Sequence, residues 1–352
     1  MNKIFSEYLD KIENALENAL PEIPDQNWIK SSFSNLSEYA KQEHFSSLIN
    51  PCKALLSSGG KRWRPLLLIL CSNLARENGK SCLSLEQTYS LTPLIEFVHT
   101  ASLIHDDIED NADTRRGKPS VHITHGTDTA INSASWLYFQ AATVINNPDF
   151  SPDFSLRLYK LYTQELRRLH LGQAMDILWH RNPSIIPTVE EYSQMVQCKT
   201  GTLASLAVQT GLISGGATSE EALEGGKIAG MLGEAFQILD DVKNLTSGNP
   251  GKKRGDDIVE RKKSLPVLLH IKENPSDAKI ISSLMTKASN EGITSPAVEE
   301  CINLLNSKGA VTKAYNLGLK SISENSQKLS VLFQKETKSS TLILELFSQM
   351  AK

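Results

Sequence analysis

The sequence predicts an all-α protein of about a dozen helices. Apolar residues recur at helical spacing, as in Ile12, Leu16 and Leu20 or Leu91, Ile95 and Val98. Alternating apolar–polar stretches of the strand type are scarce. Short breaker segments separate the helical blocks, and none is long or low-complexity enough to be an interdomain linker. One all-α domain over residues 1–352 is therefore expected, with its motif-bearing core at about 50–270.

The blocks follow in order. Ile12, Leu16 and Leu20 form an apolar stripe with acids between them, ended by Pro21–Pro24. The run Leu66–Cys71 opens a wholly apolar helix after the turn Ser57–Gly60. Leu91, Ile95 and Val98 lead into Ser102, and Arg116–Pro119 breaks the chain beyond. Asn146–Asp153 precedes the block Leu156, Leu158, Leu161, Leu166, Leu169 and Ile177, which Asn182–Pro187 ends. Gly215–Ser219 precedes Ile228, Met231, Leu232, Ala235 and Leu239, and Ser247–Gly255 and Asn274–Asp277 follow. The segments before residue 30 and beyond 275 read as amphipathic helices.

Composition narrows the function. A net charge of −3 lacks the basic excess of a nucleic-acid-binding protein. The five cysteines are scattered and include no C-x-x-C pair, which reads as reduced thiols of a cytoplasmic protein rather than a disulfide or zinc framework. The longest apolar run, Leu66–Cys71, falls far short of the ~20 residues of a membrane span. The N-terminal stretch mixes lysines with acids, without the apolar core of a signal peptide or the acid-free character of a transit peptide.

Twice an apolar helix runs into paired aspartates. In Phe97–Asp110, Asp106 and Asp110 lie four apart and share a helix face, about 5–6 Å from each other. In Met231–Asn244 the pair is Asp240–Asp241, with Asn244 on the face of Asp240. Such like charges call for a cation between them. Mg²⁺ suits the arrangement, because it accepts one or two carboxylates and fills its octahedron with water and phosphate oxygens. Basic clusters accompany the acids: Gly59-Gly-Lys-Arg-Trp-Arg-Pro65, Arg115-Arg-Gly-Lys-Pro119, Lys199-Thr-Gly201, and Lys252, Lys253, Lys262 and Lys263. Glycines admit a phosphate close to the backbone, and arginine forks onto two of its oxygens. Two Mg²⁺-bridged phosphate groups and an apolar tail would use all of these features.

These stretches, with GQAMDI (172–177), KTGTL (199–203) and GEAFQILDDVKNL (233–245), resemble the trans-isoprenyl diphosphate synthase (polyprenyl synthetase) family over residues 50–270. DDIEDN…RRGKP, INSASWLYF (131–139) and DDVKNL are most like the eukaryotic-type geranylgeranyl diphosphate synthase branch. The resemblance implies a helical bundle around a central cavity, Mg²⁺ dependence, a homodimer, and head-to-tail condensation of isopentenyl diphosphate with an allylic diphosphate. By position, Lys61, Arg64, His99 and Arg116 would hold isopentenyl diphosphate. Asp106 and Asp110 would bind Mg²⁺ and, with Arg115, the allylic diphosphate; Asp240 would take the remaining Mg²⁺. Lys199, Thr200, Gln237, Lys252 and Lys262 would embrace the allylic group from the other side, and Asp107 and Asp241 count among the catalytic acids.

Two positions depart from the common pattern. Asn244 stands where the second motif commonly ends in Asp, although the geranylgeranyl branch shares the Asn. A unit charge lost ~4 Å from a cation is worth ~4 kcal/mol at an effective dielectric of 20. Arg261 stands where the family usually has Gly before its final Lys. Product length should follow from what plugs the cavity below the first aspartates. Ala101 and Ser102 are small and leave it open, whereas Tyr138, Phe139 and His170 would form a deeper floor near C20, so that Phe139→Ala lengthens the product. His105, next to Asp106, reads as a satisfied core residue or as a hydrogen-bond partner of that aspartate.

Longer-chain polyprenyl or farnesyl products are alternatives within the same reaction class. A class I terpene cyclase would need a Glu after its second motif that this chain lacks. A non-catalytic partner subunit should have lost site residues, and all are present here.

Overall fold

A computed structural model describes residues 3–248 and 253–351. Eighteen α-helices and one two-stranded ladder make up the regular structure among them. In chain order they are α1 (Ser6–Ala19), α2 (Gln26–Phe33), α3 (Gln42–Leu56), α4 (Trp63–Glu77), α5 (Leu85–Tyr89), α6 (Pro93–Glu109), β1 (Thr114–Arg115) and β2 (Lys118–Pro119). Then come α7 (Val121–His125), α8 (Thr127–Ala142), α9 (Pro152–Arg181), α10 (Val189–Val196), α11 (Thr202–Ser214) and α12 (Ser219–Thr246). The last six are α13 (Asp256–Val259), α14 (Leu265–Glu273), α15 (Ala278–Glu291), α16 (Pro296–Ser307), α17 (Ala310–Ser330) and α18 (Lys338–Met350). The all-α class is as the periodicity predicts. The helices outnumber the expected dozen because α5, α7 and α13 are single turns, and because the segment after residue 275 divides into four.

Among the described residues Pro21–Pro24, Ser57–Gly60, Arg116–Pro119 and Asn182–Pro187 fall between α-helices, and local chemistry sets several helix starts. Pro93 sits in the first turn of α6, where its missing N–H costs nothing. Ser84 with Gln87, and Thr188 with Glu191, form reciprocal capping boxes at α5 and α10. The ladder was not expected from pattern. Arg115 faces Lys118 across it, and the intervening Arg116 and Gly117 have φ of 54° and 76°. Positive φ at both central residues is the signature of a type I′ hairpin turn.

The chain divides into two compact units. The first is Met1–Gln164, Leu206–Gly225 and Phe333–Leu346; the second is Glu165–Ser205, Gly226–Leu332 and Phe347–Lys352. In the first unit, Leu66–Cys71 of α4 are fully buried on every face, as a helix apolar all round requires. Gly211 packs against α4 so closely that a Cβ there would lie 2.2 Å from the Leu68 carbonyl oxygen. In the second unit, Trp179, Tyr192, Met195 and Leu268 pack with the inward faces of α15, α16 and α17.

Candidate active site

In the first unit the glycine turn, α6 and the hairpin turn bring Arg64, His99 and Arg116 together. Gly60 has φ of 148°, and a Cβ on it would sit 3.2 Å from guanidinium nitrogens of both Arg62 and Arg116. Arg62, left-handed at φ 47°, is buried. It donates to Glu13 (2.7 Å), Glu96 (2.8 Å) and the Leu56 carbonyl (2.7 Å). One of the three clustered cations, Arg62, is therefore used inside the fold. Leaving Glu96 buried without Arg62 would cost about 3–5 kcal/mol. Lys61 stays exposed, and Arg116 donates to the Gly59 carbonyl.

Arg64 Nη1 lies 3.4 Å from His99 Nε2 and stacks over Trp63 at 4.5 Å. Arginine has donors only, so Nε2 accepts and the His99 proton sits on Nδ1. Burial, then Arg64, Arg116, Arg115 and Arg62, hold the His99 pKa well below its ordinary value, so the ring is neutral.

The aspartates lie at the end of α6. Arg115, on β1, donates from Nε to Asp107 Oδ1 at 2.7 Å, and its Nη2 lies 3.5 Å from Asp106 Oδ2. Burial raises the Asp107 pKa against the pull of Arg115. Its Oδ2 is buried without a hydrogen-bond partner. Asp106 and Asp110 are half-buried one turn apart. The hard carboxylate oxygens of Asp106 and Asp110 fit a Mg²⁺ ion that brings its own water and phosphate ligands. Among the described residues no group of three or more His, Cys, Asp or Glu forms a self-sufficient metal cage.

The chain-length residues separate. Ala101 is buried, and half-buried Ser102 donates to the His99 carbonyl at 2.8 Å. Tyr138 is buried and stacks on His105 with centroids 5.6 Å apart. Phe139 is 77% exposed in this chain, because consecutive helix residues point about 100° apart. His170 is also exposed, its Nδ1 donating to the Leu166 carbonyl. A floor shared by Tyr138, Phe139 and His170 is therefore corrected: within this chain only Tyr138 points inward.

In the second unit a π-helical turn, Gln197–Gly201, sets Lys199 and Thr200. Gly172 makes room for it, since a Cβ there would meet the Lys199 backbone nitrogen at 2.3 Å. One turn further along α9, buried Asp176 accepts from Lys199 Nζ at 2.7 Å and Lys262 Nζ at 3.3 Å. Thr200 Oγ1 donates to Gln237 Oε1 (3.1 Å), and Gln237 Nε2 donates to Asp241 Oδ1 (3.0 Å). Asp241 also accepts from Tyr192 Oη (2.7 Å) and the Leu265 N–H (3.1 Å). Burial pushes its pKa up to about 6. Asp241 thus ties α10, α12 and α14 together, while its neighbour Asp240 is exposed.

Asn244 is fully buried and accepts the Asp257 N–H at 3.2 Å. It holds the chain after α12 rather than sharing the exposed side of Asp240. Arg261 has φ of 58°, a conformation that glycine adopts freely, which accounts for the usual residue at that position. Lys252 lies outside the described residues. Asp176 and Tyr192 were missed at the sequence level. The signal for Asp176 was present in GQAMDI, as an acid one turn after a glycine.

Residues 46–304 match the polyprenyl synthetase family. The chain belongs to that family. Geranylgeranyl pyrophosphate synthase of Neocamarosporium betae is 40% identical over 211 residues, 58% of each chain. The matched stretch thus spans less than two thirds of that fungal relative. The short chain isoprenyl diphosphate synthase of Methanocaldococcus jannaschii is 31% identical over 283 residues, 80% of this chain and 82% of that one. The crystal structure of geranylgeranyl pyrophosphate synthetase from Pyrococcus horikoshii Ot3 covers 99% of both chains, at 25% identity and a TM-score of 0.77.

Proposed function

We propose that this protein condenses isopentenyl diphosphate head to tail with an allylic prenyl diphosphate, yielding geranylgeranyl diphosphate. The observation that carries this reading is the gathering of Lys199 and Lys262 on Asp176, next to a second hydrogen-bonded chain from Thr200, which follows Lys199 in sequence, through Gln237 to Asp241 of the second aspartate pair. Two ammonium groups held about one carboxylate suit an allylic diphosphate. Lys61, Arg64, His99 and Arg116 would hold isopentenyl diphosphate, with neutral His99 orienting Arg64.

Mg²⁺ held by Asp106 and Asp110 in the first unit, and a separate Mg²⁺ held by Asp240 in the second, would supply positive charge for breaking an allylic C–O bond. Arg115 in the first unit, and Lys199 and Lys262 in the second, would each lend positive charge to a bound diphosphate. The fixed alkene of isopentenyl diphosphate then attacks the allylic carbon, and positioning supplies much of the rate. The departing diphosphate is the base for the released proton.

Buried Tyr138, which stacks on His105 of α6, would limit chain growth. Exposed Ile131 and Phe139, two turns apart on α8 and 45% and 77% exposed, would pack against a second copy in a homodimer. Among the described residues no helix is long and apolar enough to cross a membrane, and the five free thiols suit the cytoplasm.

The test incubates purified protein with Mg²⁺, isopentenyl diphosphate and, separately, the C5, C10 and C15 allylic diphosphates, and sizes the dephosphorylated products by mass spectrometry. A dominant C20 product is expected, lengthened in Tyr138→Ala and unchanged in Phe139→Ala. Absence of condensation would overturn the reading.

A further inference from the structure

In the turn Gly59-Gly-Lys-Arg62 of the first unit, Gly59, Gly60 and Arg62 have positive φ, at 87°, 148° and 47°. Glycine adopts such angles freely, but arginine holds one only where its surroundings over-determine the conformation. Arg62 is held in this way. Its Nε donates to Glu13 Oε1 of α1 at 2.7 Å, its Nη1 to Glu96 Oε1 of α6 at 2.8 Å, and its Nη2 to the Leu56 carbonyl at the end of α3 at 2.7 Å. Nη2 also lies 3.4 Å from Glu13 Oε2, so Glu13 grips the guanidinium at two nitrogens. Every guanidinium nitrogen is engaged, and three helices pin one backbone position.

The cations assigned to one substrate stand on or against this pinned turn. Arg62 Nη1 and both Arg116 Nη nitrogens lie 3.2 Å from where a Gly60 Cβ would sit. Arg116 also donates to the Gly59 carbonyl. Lys61 immediately precedes Arg62. Arg64, two residues beyond it, stacks on Trp63 and meets His99. Two guanidinium groups packed against one glycine repel each other unless carboxylates lie alongside. Glu13 and Glu96 supply those carboxylates at Arg62.

We propose that Glu13, acting through Arg62, is a positioning residue for isopentenyl diphosphate, an inference that rests on the assignment of Lys61, Arg64 and Arg116 to that substrate. Helix α1 packs on α4 and α6, and through Glu13 it also sets the turn on which those cations depend. Glu13 is the member to substitute, because its side chain is 50% exposed, whereas Glu96 is buried and its loss would threaten the fold. The sign of the effect separates positioning from charge. Glu13 is an acid near a cationic cluster, so by charge alone its removal would strengthen anion binding. Positioning requires the reverse.

The test is steady-state kinetics of the whole protein, with isopentenyl diphosphate and geranyl diphosphate varied in turn, beside calorimetric titration with isopentenyl diphosphate. Glu13→Ala is expected to raise KM and Kd for isopentenyl diphosphate at least about fivefold, with kcat and the geranyl diphosphate KM within about twofold. Glu13→Gln keeps an acceptor oxygen for Arg62 Nε and should fall between, at about two- to fivefold, so it carries the test if Glu13→Ala fails to fold. Glu17→Gln removes the same charge one turn along α1, at an exposed position, and should leave every constant within about twofold. An isopentenyl diphosphate KM unchanged or lowered in the Glu13 variants overturns the proposal and leaves the condensation standing. So does an equal rise in the geranyl diphosphate KM, or an equal effect of Glu17→Gln. A wild type that neither binds nor condenses isopentenyl diphosphate overturns both.

Discussion

Removing the charge of Asp176 tests the network of the second unit. Lys199 and Lys262 approach one carboxylate oxygen at 2.7 and 3.3 Å, so their ammonium groups are at most about 6 Å apart. At an effective dielectric of 20, two positive charges at that separation repel by about 3 kcal/mol. Asp176→Asn keeps the side-chain volume and removes the intervening charge. Breaking a buried ion pair from one side costs about 3–5 kcal/mol. The three side chains are 9–25% exposed, so water relieves part of this, and a loss of about 2–3 kcal/mol is expected. Urea unfolding followed by circular dichroism measures it. Added inorganic diphosphate should restore more stability to the variant than to wild type, because the anion replaces the missing counter-charge. A loss under 0.5 kcal/mol, or equal stabilisation of both proteins by diphosphate, would refute the reasoning.

Three further outcomes are expected. Gly172→Ala forces a Cβ to 2.3 Å from the Lys199 backbone, so it should cost at least ~2 kcal/mol and abolish condensation through displacement of Lys199, read in parallel by unfolding and product assay. The depressed pKa of His99 contributes stability that is present above its unfolded value near 6.5 and lost as pH falls toward the lower folded value, because the unfolded chain takes up the proton first. His99→Gln should flatten that acid limb of the stability–pH curve, and an unchanged limb would place the titration elsewhere. Arg261→Gly relieves a left-handed backbone and should raise stability by about 0.5–1 kcal/mol, seen as a higher urea midpoint with unchanged m-value.

Much of the candidate site was legible in the sequence because its chemistry is local. Asp106 and Asp110 are one helical turn apart, and KTG and GGKRWRP are contiguous, so residue type and spacing identify them without tertiary contacts. The all-α class was legible for the same reason, since helical periodicity repeats every few residues. The ladder at 114–119 was not, because two residues per strand carry no periodic signal.

What only the tertiary structure decided is the use to which each charge is put. Arg62, Arg64 and Arg116 look alike in sequence, yet Arg62 turns inward to Glu13 and Glu96, Arg64 to His99, and Arg116 to the Gly59 carbonyl. Tyr138 and Phe139 are neighbours, yet the helix buries one and exposes the other. Asp176 lies 23 residues from Lys199 and 86 from Lys262, a separation at which spacing says nothing about contact. The physical reason is one of range. Propensity and helix-face placement act within a turn or two of chain, whereas burial, ion pairing and the shift of a pKa depend on what the fold brings alongside.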